Sequence, residues 1–201
     1  MPNIEDDQTL EKELLNQDLK KLNFKKEAFQ WLESIVVSVI IVALILTFVG
    51  APRVVKGNSM NPSFKNNDKV ITTNIYKELK YGDVVVIRRK NDDPLIKRVI
   101  GVAGDTIDID FETGCIKLNN SEIKETYINE LTKTDLGTKF PTTVPSGCLF
   151  VMGDNRNHSD DSRDPAIGMI DKRNVFGKVV FRFYPFDAIG AIKTPELQKA
   201  D

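Results

Sequence analysis

A mostly β domain preceded by one N-terminal transmembrane helix is the fold class this sequence predicts, on three observations. Nineteen consecutive residues between Glu33 and Arg53 carry no charge, the chain beyond them breaks into short runs rich in Val, Ile, Phe and Thr, and Gly-Asp and Asn clusters punctuate those runs. With 201 residues, 41% hydrophobic and 28% charged, the chain is long enough for one domain with a buried core plus appendages. Its net charge of −1 removes nucleic-acid binding from the candidate functions, because that function leaves a strongly basic footprint.

Taken in order, residues 1–33 form a cytoplasmic tail in which Leu10, Leu14, Leu15, Leu19 and Leu22 recur at helical spacing among charges. A short amphipathic helix and a solvated or membrane-surface segment both fit that pattern. Residues 34–52, SIVVSVIIVALILTFVGAP, are the transmembrane segment; as a helix they cover about 28 Å against a hydrocarbon core of about 30 Å. Phe29 and Trp31 precede the segment as interfacial aromatics, and Lys20, Lys21, Lys25 and Lys26 lie on its N-terminal side, so the expectation is a single pass with a cytoplasmic N-terminus. A soluble core helix would carry a wider polar stripe than Ser38 and Thr47 supply after Ser34. A cleaved secretory signal is the other reading, since Val49-Gly50-Ala51 offers small residues; the long, mixed-charge stretch before the apolar run favours a retained anchor.

Residues 53–201 then form the extracytoplasmic domain. Strands are expected at Lys69–Thr73, Asp83–Arg89, Leu95–Val102, Thr106–Phe111, Cys115–Leu118, Cys148–Met152 and Val175–Tyr184, with Glu112-Thr113-Gly114 as a hairpin turn. Residues 121–147, poorer in apolar side chains, read as an excursion from the core, and 193–201 as a polar tail. Two cysteines, Cys115 and Cys148, are too few for a disulfide scaffold and lack zinc-like spacing; one bridge or two thiols both remain open.

Ser59 lies in Lys56-Gly57-Asn58-Ser59-Met60-Asn61-Pro62-Ser63, a small, polar turn in which a serine is ordinarily just a turn residue. Seven residues separate it from Pro52, so at most about 23 Å of chain holds it near the membrane surface. A serine nucleophile needs a base. His158 is the single histidine, so a Ser-His-Asp triad passes a simple count, although a lone loop histidine is more often solvated. Lys97 is the better candidate: in Pro94-Leu95-Ile96-Lys97-Arg98-Val99-Ile100, alternation sets Lys97 on the face of Leu95 and Val99 and Arg98 on the face of Ile96 and Ile100. Burial among apolar neighbours lowers a lysine pKa toward the ~7–8 suited to a general base, while a lysine snorkelling from the sheet edge is the bland alternative. The run Gly153–Arg163 fails as a calcium loop, since Arg156, His158 and Ser159 occupy positions that need oxygen ligands or glycine; its alternating acids and arginines suit an ion-paired loop instead, with Asp161 and Arg163 as one pair.

Together, GNSMNPS at 57–63, YGDVVVIRRK at 81–90, IKRVIGVAGD at 96–105 and FVMGDNRNHSDDSR at 150–163 resemble, in this order and spacing, the bacterial type I signal peptidases (leader peptidases) of the compact, single-anchor kind. The resemblance covers nearly all of 53–185. It implies a β-rich, membrane-anchored, cofactor-free and metal-free serine endopeptidase that removes signal peptides from exported preproteins with a Ser-Lys dyad. By position, Ser59 matches the nucleophile and Lys97 the general base; Ser159 matches the serine that positions the lysine amine; Asp161 and Arg163, with Asp154 and Arg156, match the residues supporting that loop. Gly57 departs from members that carry a serine there to help hold the oxyanion, and Ala103 replaces a proline of the Gly-x-Pro-Gly-Asp segment.

The same resemblance implies preproteins as partners, a bacterial plasma membrane location near the secretion machinery, and small side chains accepted at the first and third positions before the cut. Val54 and Val55 before the nucleophile, and Leu95 and Ile96 before the base, are the strand segments expected to pair with an extended substrate. The rival enzyme is a self-cleaving serine-lysine peptidase like the stress-response repressors; the rival from another class is a catalytically inactive, membrane-tethered β domain that binds exported polypeptides.

Overall fold

The computed structural model describes residues 24–44, 50–90 and 92–199. The chain divides into two units, Met1–Thr47 and Phe48–Asp201. In the first, helix α1 (Phe24–Leu44) is 21 residues, long and apolar enough by composition to cross a membrane, with its apolar window unburied. At 1.5 Å per residue it covers about 31 Å. The Ser34 and Ser38 hydroxyls donate to the carbonyls of Gln30 and Ser34 at 2.9 and 2.8 Å, so these polar side chains fold back onto the helix instead of needing outside partners. The leucines of the expected tail helix, Leu10 to Leu22, lie outside the described residues, as does Val49.

Among the described residues the helix covers Phe24–Leu44, which takes in Ser34 to Leu44 of the expected segment, while Ala51 and Pro52 belong to strand β1 (Ala51–Val54) of the second unit, opposite Thr72 and Ile71. The pairing, with a Thr72 hydroxyl donating to the Ala51 carbonyl at 3.0 Å, meets the backbone polarity that apolar composition alone does not reveal. Pro52, lacking an N–H, is tolerated because β1 is an edge strand.

The second unit holds two sheets. The larger takes the order β1, β2 (Lys69–Thr73), β11 (Val175–Tyr184), β3 (Val84–Ile87), β4 (Leu95–Val102), β9 (Cys148–Met152), β10 (Ile170–Asp171), with β12 (Gly190–Ala191) on β11. The smaller takes the order β7 (Ser121–Glu122), β6 (Cys115–Leu118), β5 (Thr106–Asp110), β8 (Thr142–Thr143). All seven expected strands form, Asp83–Arg89 shortened by three residues and Thr106–Phe111 by one. The hairpin of β5 and β6 closes as its turn chemistry demands: Asp110 accepts from the Glu112 and Thr113 amides at 2.9 and 3.2 Å, and Gly114 takes φ +81°. β4 passes from one sheet into β5 of the other, and Gly101 permits the close crossing, since a Cβ there would stand 2.8 Å from Ile107.

β3 is buried at all four positions and β4 at six of eight, the pattern of strands covered on both faces. Val84, Val86 and Ile96 pack with Met60 and Phe64 on one side, while Val85, Ile87 and Val99 pack with Leu149 and Val151 on the other. Each such side chain, fully buried, is worth about 1.5–3 kcal/mol. The expected polar tail is instead docked over its described length. Thr194 donates to the buried Asp83 carboxylate at 2.8 Å, and the Lys124 amide donates to the Gln198 carbonyl at 2.9 Å.

Candidate active site

The loop between β1 and β2 presents Ser59. Gly57 turns it at φ +79°, its amide donating to the Asn66 side chain at 2.9 Å, and Met60 and Phe64 plug the core beneath. With its neighbour Met60 buried, Ser59 stands half-exposed at the rim. Its carbonyl accepts from the Asn155 amide at 3.0 Å, which joins this loop to the segment after β9.

Lys97 comes from the middle of β4, opposite Val85 in the β3 register, and is only 2% exposed. Its Nζ lies 2.8 Å from Ser59 Oγ. Burial pushes the ammonium down to about 8 from an ordinary 10.5; the charges of Asp161 and Asp160 oppose the shift, and Arg163 and Arg89 add to it. An amine so placed is close to half neutral at pH 8, against about one in three hundred for an ordinary lysine.

Gly153 makes this meeting possible. In the antiparallel β4–β9 register Arg98 faces Met152, so Gly153 is the next position along, beside Lys97. A Cβ there would stand 2.6 Å from that of Ser159 and would also strike the Ser59 carbonyl oxygen. The glycine is thus the space into which the serine loop and the Ser159 side chain fit.

On the opposite face of β4, Arg98 is also nearly fully buried and meets Asp154 with both oxygens, Nε to Oδ1 at 2.8 Å and Nη2 to Oδ2 at 2.6 Å. Burial alone would lower its pKa, but the bond to Asp154 and its charge outweigh burial and hold the arginine charged. Asp161, wholly buried, accepts from the Gly153 amide at 3.0 Å, the Ser159 hydroxyl at 2.8 Å and Arg163 Nε at 2.8 Å. Arg163 in turn donates to the Arg156 carbonyl at 2.6 Å and clamps the loop back on itself. The Ser159 hydroxyl donates its one hydrogen to Asp161, a strong acceptor as a carboxylate.

Sequence reasoning missed Glu125. Its carboxylate meets the buried Arg156 with both oxygens, Nη2 to Oε1 at 2.6 Å, and accepts from the Tyr127 hydroxyl at 2.6 Å. Tyr127 also lies under Arg98, 4.2 Å from guanidinium carbon to ring centre. The segment 121–147, expected as an excursion from the core, is thus tied to the Gly153–Arg163 loop, with Thr132 and Asn157 adding further bonds. A lone acid in a polar stretch carries no local pattern to mark such a role. His158 is exposed, its nearest acid being Glu130 at 4.0 Å; among the described residues it makes no bond to Ser59.

Of the expected substrate segments, Val54 is exposed and Ile96 borders a 260 Å³ cleft between β1 and β4, lined also by Pro52, Lys56, Val86 and Pro94. β9 pairs with β4 only from Arg98 onward, leaving the outer edge of Leu95 to Lys97 without a strand partner among the described residues. Val55 differs: its side chain is core, and its amide and carbonyl are taken by Asp68 and Asn67. Cys115 and Cys148 are free thiols. Among the described residues no three His, Cys, Asp or Glu side chains converge as a metal-ligand set.

The sequence matches the family described as "Signal peptidase, peptidase S26" over residues 28–184. It is 35% identical over 181 residues to signal peptidase I of Bacillus licheniformis, covering 85% of this chain and 96% of that one. It is 35% identical over 193 residues to signal peptidase IB of Staphylococcus aureus strain Mu50, covering 87% and 99%. A crystal structure of a signal peptidase I from Enterococcus faecalis V583 aligns with 51% of this chain and 97% of its own at 27% identity and a TM-score of 0.42.

Proposed function

The chain belongs to the signal peptidase family, peptidase S26, and is a serine peptidase; from that membership we propose that it cleaves signal peptides from exported preproteins with Ser59 as nucleophile and Lys97 as general base. The observation that carries the reading is the 2.8 Å separation of Lys97 Nζ and Ser59 Oγ, with an amine shifted to about 8. In the neutral amine the direction of that hydrogen bond reverses, the hydroxyl donating to the nitrogen lone pair.

Ser59 Oγ attacks the scissile carbonyl carbon while Lys97 takes its proton. The C–N bond then breaks, the lysine returns the proton to the leaving nitrogen, the mature chain departs, and the signal peptide stays as an ester on Ser59. Water, deprotonated by Lys97, hydrolyses the ester and restores both groups. The Ser59 amide, without a partner among the described residues, is the donor offered to the oxyanion. Gly57 supplies no hydroxyl there. The buried ion pairs hold Gly153 and hence the approach of the two reacting groups; they touch no reacting atom themselves.

An extended substrate fits the groove between β1 and β4, where the free edge of Leu95 to Lys97 can accept it as an added strand. Side chains at the first and third positions before the cut then point to the Ile96 side. Helix α1 serves as a single-pass anchor, supported by its length, its unburied apolar surface and the back-bonded serines. Lys20 and Lys21 before it, with Lys25 and Lys26 in its first turn, set the N-terminus in the cytoplasm and the catalytic domain outside.

The test is cleavage of a preprotein by the full chain in detergent, with Ser59→Ala and Lys97→Ala as comparisons. Loss of cleavage in both supports the dyad. Cleavage by Lys97→Ala at the original rate removes the lysine, and binding without cleavage by the unaltered chain favours a tethered binding domain.

A further inference from the structure

A second cleft, of about 450 Å³, lies on the Lys97 side of β4, across the strand from the one bordered by Ile96. Its floor is Leu95, Ile87, Ile167 and Ile170, which pack together on that side of the sheet. Arg88, Arg89 and Lys90 also line it. Two acids share the lining, and both are engaged: Asp92 lies 3.3 Å from Arg89, and Asp171 is held by Arg173. Arg88 stacks on Phe176 at 4.5 Å. Phe176 packs with Val84, Val86 and Ile96 on the other side of the sheet, so Arg88 is turned from the cleft and Arg89 and Lys90 are the cations at its rim, Lys90 with neither a carboxylate nor a ring partner among the described residues.

An extended chain laid along the free edge of Leu95 to Lys97 sends successive side chains to opposite faces. When the first and third positions before the cut face Ile96, the second faces Leu95 and this cleft. We propose, resting on the groove reading above, that the Leu95 cleft is the subsite for the side chain at the second position and that it selects an acidic one. A glutamate suits it: its methylenes cover the apolar floor while its carboxylate reaches the rim. An alanine leaves the cleft empty, and a lysine meets like charge.

The experiment uses the full chain in detergent and three peptides that differ only at the second position, carrying Ala, Glu or Lys, with small residues at the first and third. The expected order of kcat/KM is Glu over Ala over Lys, with Glu and Lys separated about three- to tenfold at low salt and drawn together at 1 M salt. In the doubly reversed Arg89→Glu, Lys90→Glu variant the order inverts. The readout is the ratio between peptides at one pH, so an altered Lys97 or a partly unfolded variant, which scales all three rates alike, does not change it. Equal Glu and Lys rates in the unaltered chain, or a Glu preference that survives the reversal, overturns the subsite while leaving the groove reading in place. Cleavage that persists in Ser59→Ala, or falls at another bond, overturns both.

Discussion

Lys97 and Arg98 are consecutive, both almost wholly withdrawn from water, and only Arg98 meets a carboxylate. The strand turns them to opposite faces, Arg98 onto Asp154 and Lys97 onto an uncharged hydroxyl. One cation is held charged and the other is pushed toward neutrality because Asp154 bonds Arg98 directly, while Asp161 and Asp160 act on Lys97 only through space and do not offset its burial.

The first consequence concerns pH. With Lys97 shifted to about 8, kcat/KM should climb tenfold per pH unit on the acid side and level off above about 8. Asp160, an exposed acid whose charge opposes the shift, sharpens the test: Asp160→Asn should move the inflection to lower pH. A profile still climbing past pH 10 in the unaltered chain would mean an ordinary lysine.

A second consequence is thermodynamic. The folded chain holds Lys97 below its unfolded pKa, so the unfolded chain binds more protons between about 8 and 10.5 and native stability should rise with pH across that window. Below pH 8 the penalty is present in full. Lys97→Met removes it, and should raise stability by about 1–3 kcal/mol at pH 7 while abolishing cleavage. Denaturant unfolding at pH 7 and pH 10 checks both parts, because the gain should shrink at the higher pH.

Glu125 makes a third case. Glu125→Ala leaves the buried Arg156 guanidinium without its counter-ion and should destabilise by about 3–5 kcal/mol. Glu125→Gln keeps the shape and one acceptor and should lose less. Where the Gln variant stays folded, kcat should fall more than KM changes, because Arg156 donates to the Gly153 carbonyl and its own carbonyl accepts from Arg163, which holds Ser159, away from the substrate groove. Combining Glu125→Gln with Arg156→Met should give less than the sum of the two losses. Additive losses would show that the pair does not act as a unit.

Gly153 gives the fourth. Gly153→Ala forces a methyl group against the Ser59 carbonyl and the Ser159 side chain. The expected loss is about 1–3 kcal/mol of stability and, since a 1 Å displacement at a reacting centre has that scale, about a hundredfold in kcat. Near-normal turnover in a folded Gly153→Ala chain would show that the serine loop can shift without penalty.

Much of the fold was legible because strand periodicity and turn chemistry are local. The Val, Ile and Thr runs marked seven of the eight described strands longer than two residues, all but β1, and Asp110 to Gly114 marked a hairpin. The short strands β7, β8, β10 and β12 span two residues each and carry no period to detect. Ala51 and Pro52 were read as the end of the apolar run, since nothing in an Ala-Pro pair announces a partner at Thr72.

By itself the sequence determined which chemical groups are available: a serine in a small-residue turn, an alternating strand that must turn Lys97 and Arg98 apart, an acid-arginine loop, and an apolar segment of membrane length. Only the tertiary structure decided which of them meet. It set Lys97 against Ser59, committed Ser159 to Asp161, placed Glu125 on Arg156 and docked the tail on Asp83. The physical reason is that a buried charge takes whatever partner the fold brings within about 3 Å, however distant in the chain. That choice belongs to sheet register and loop crossings, which no local pattern of residues contains.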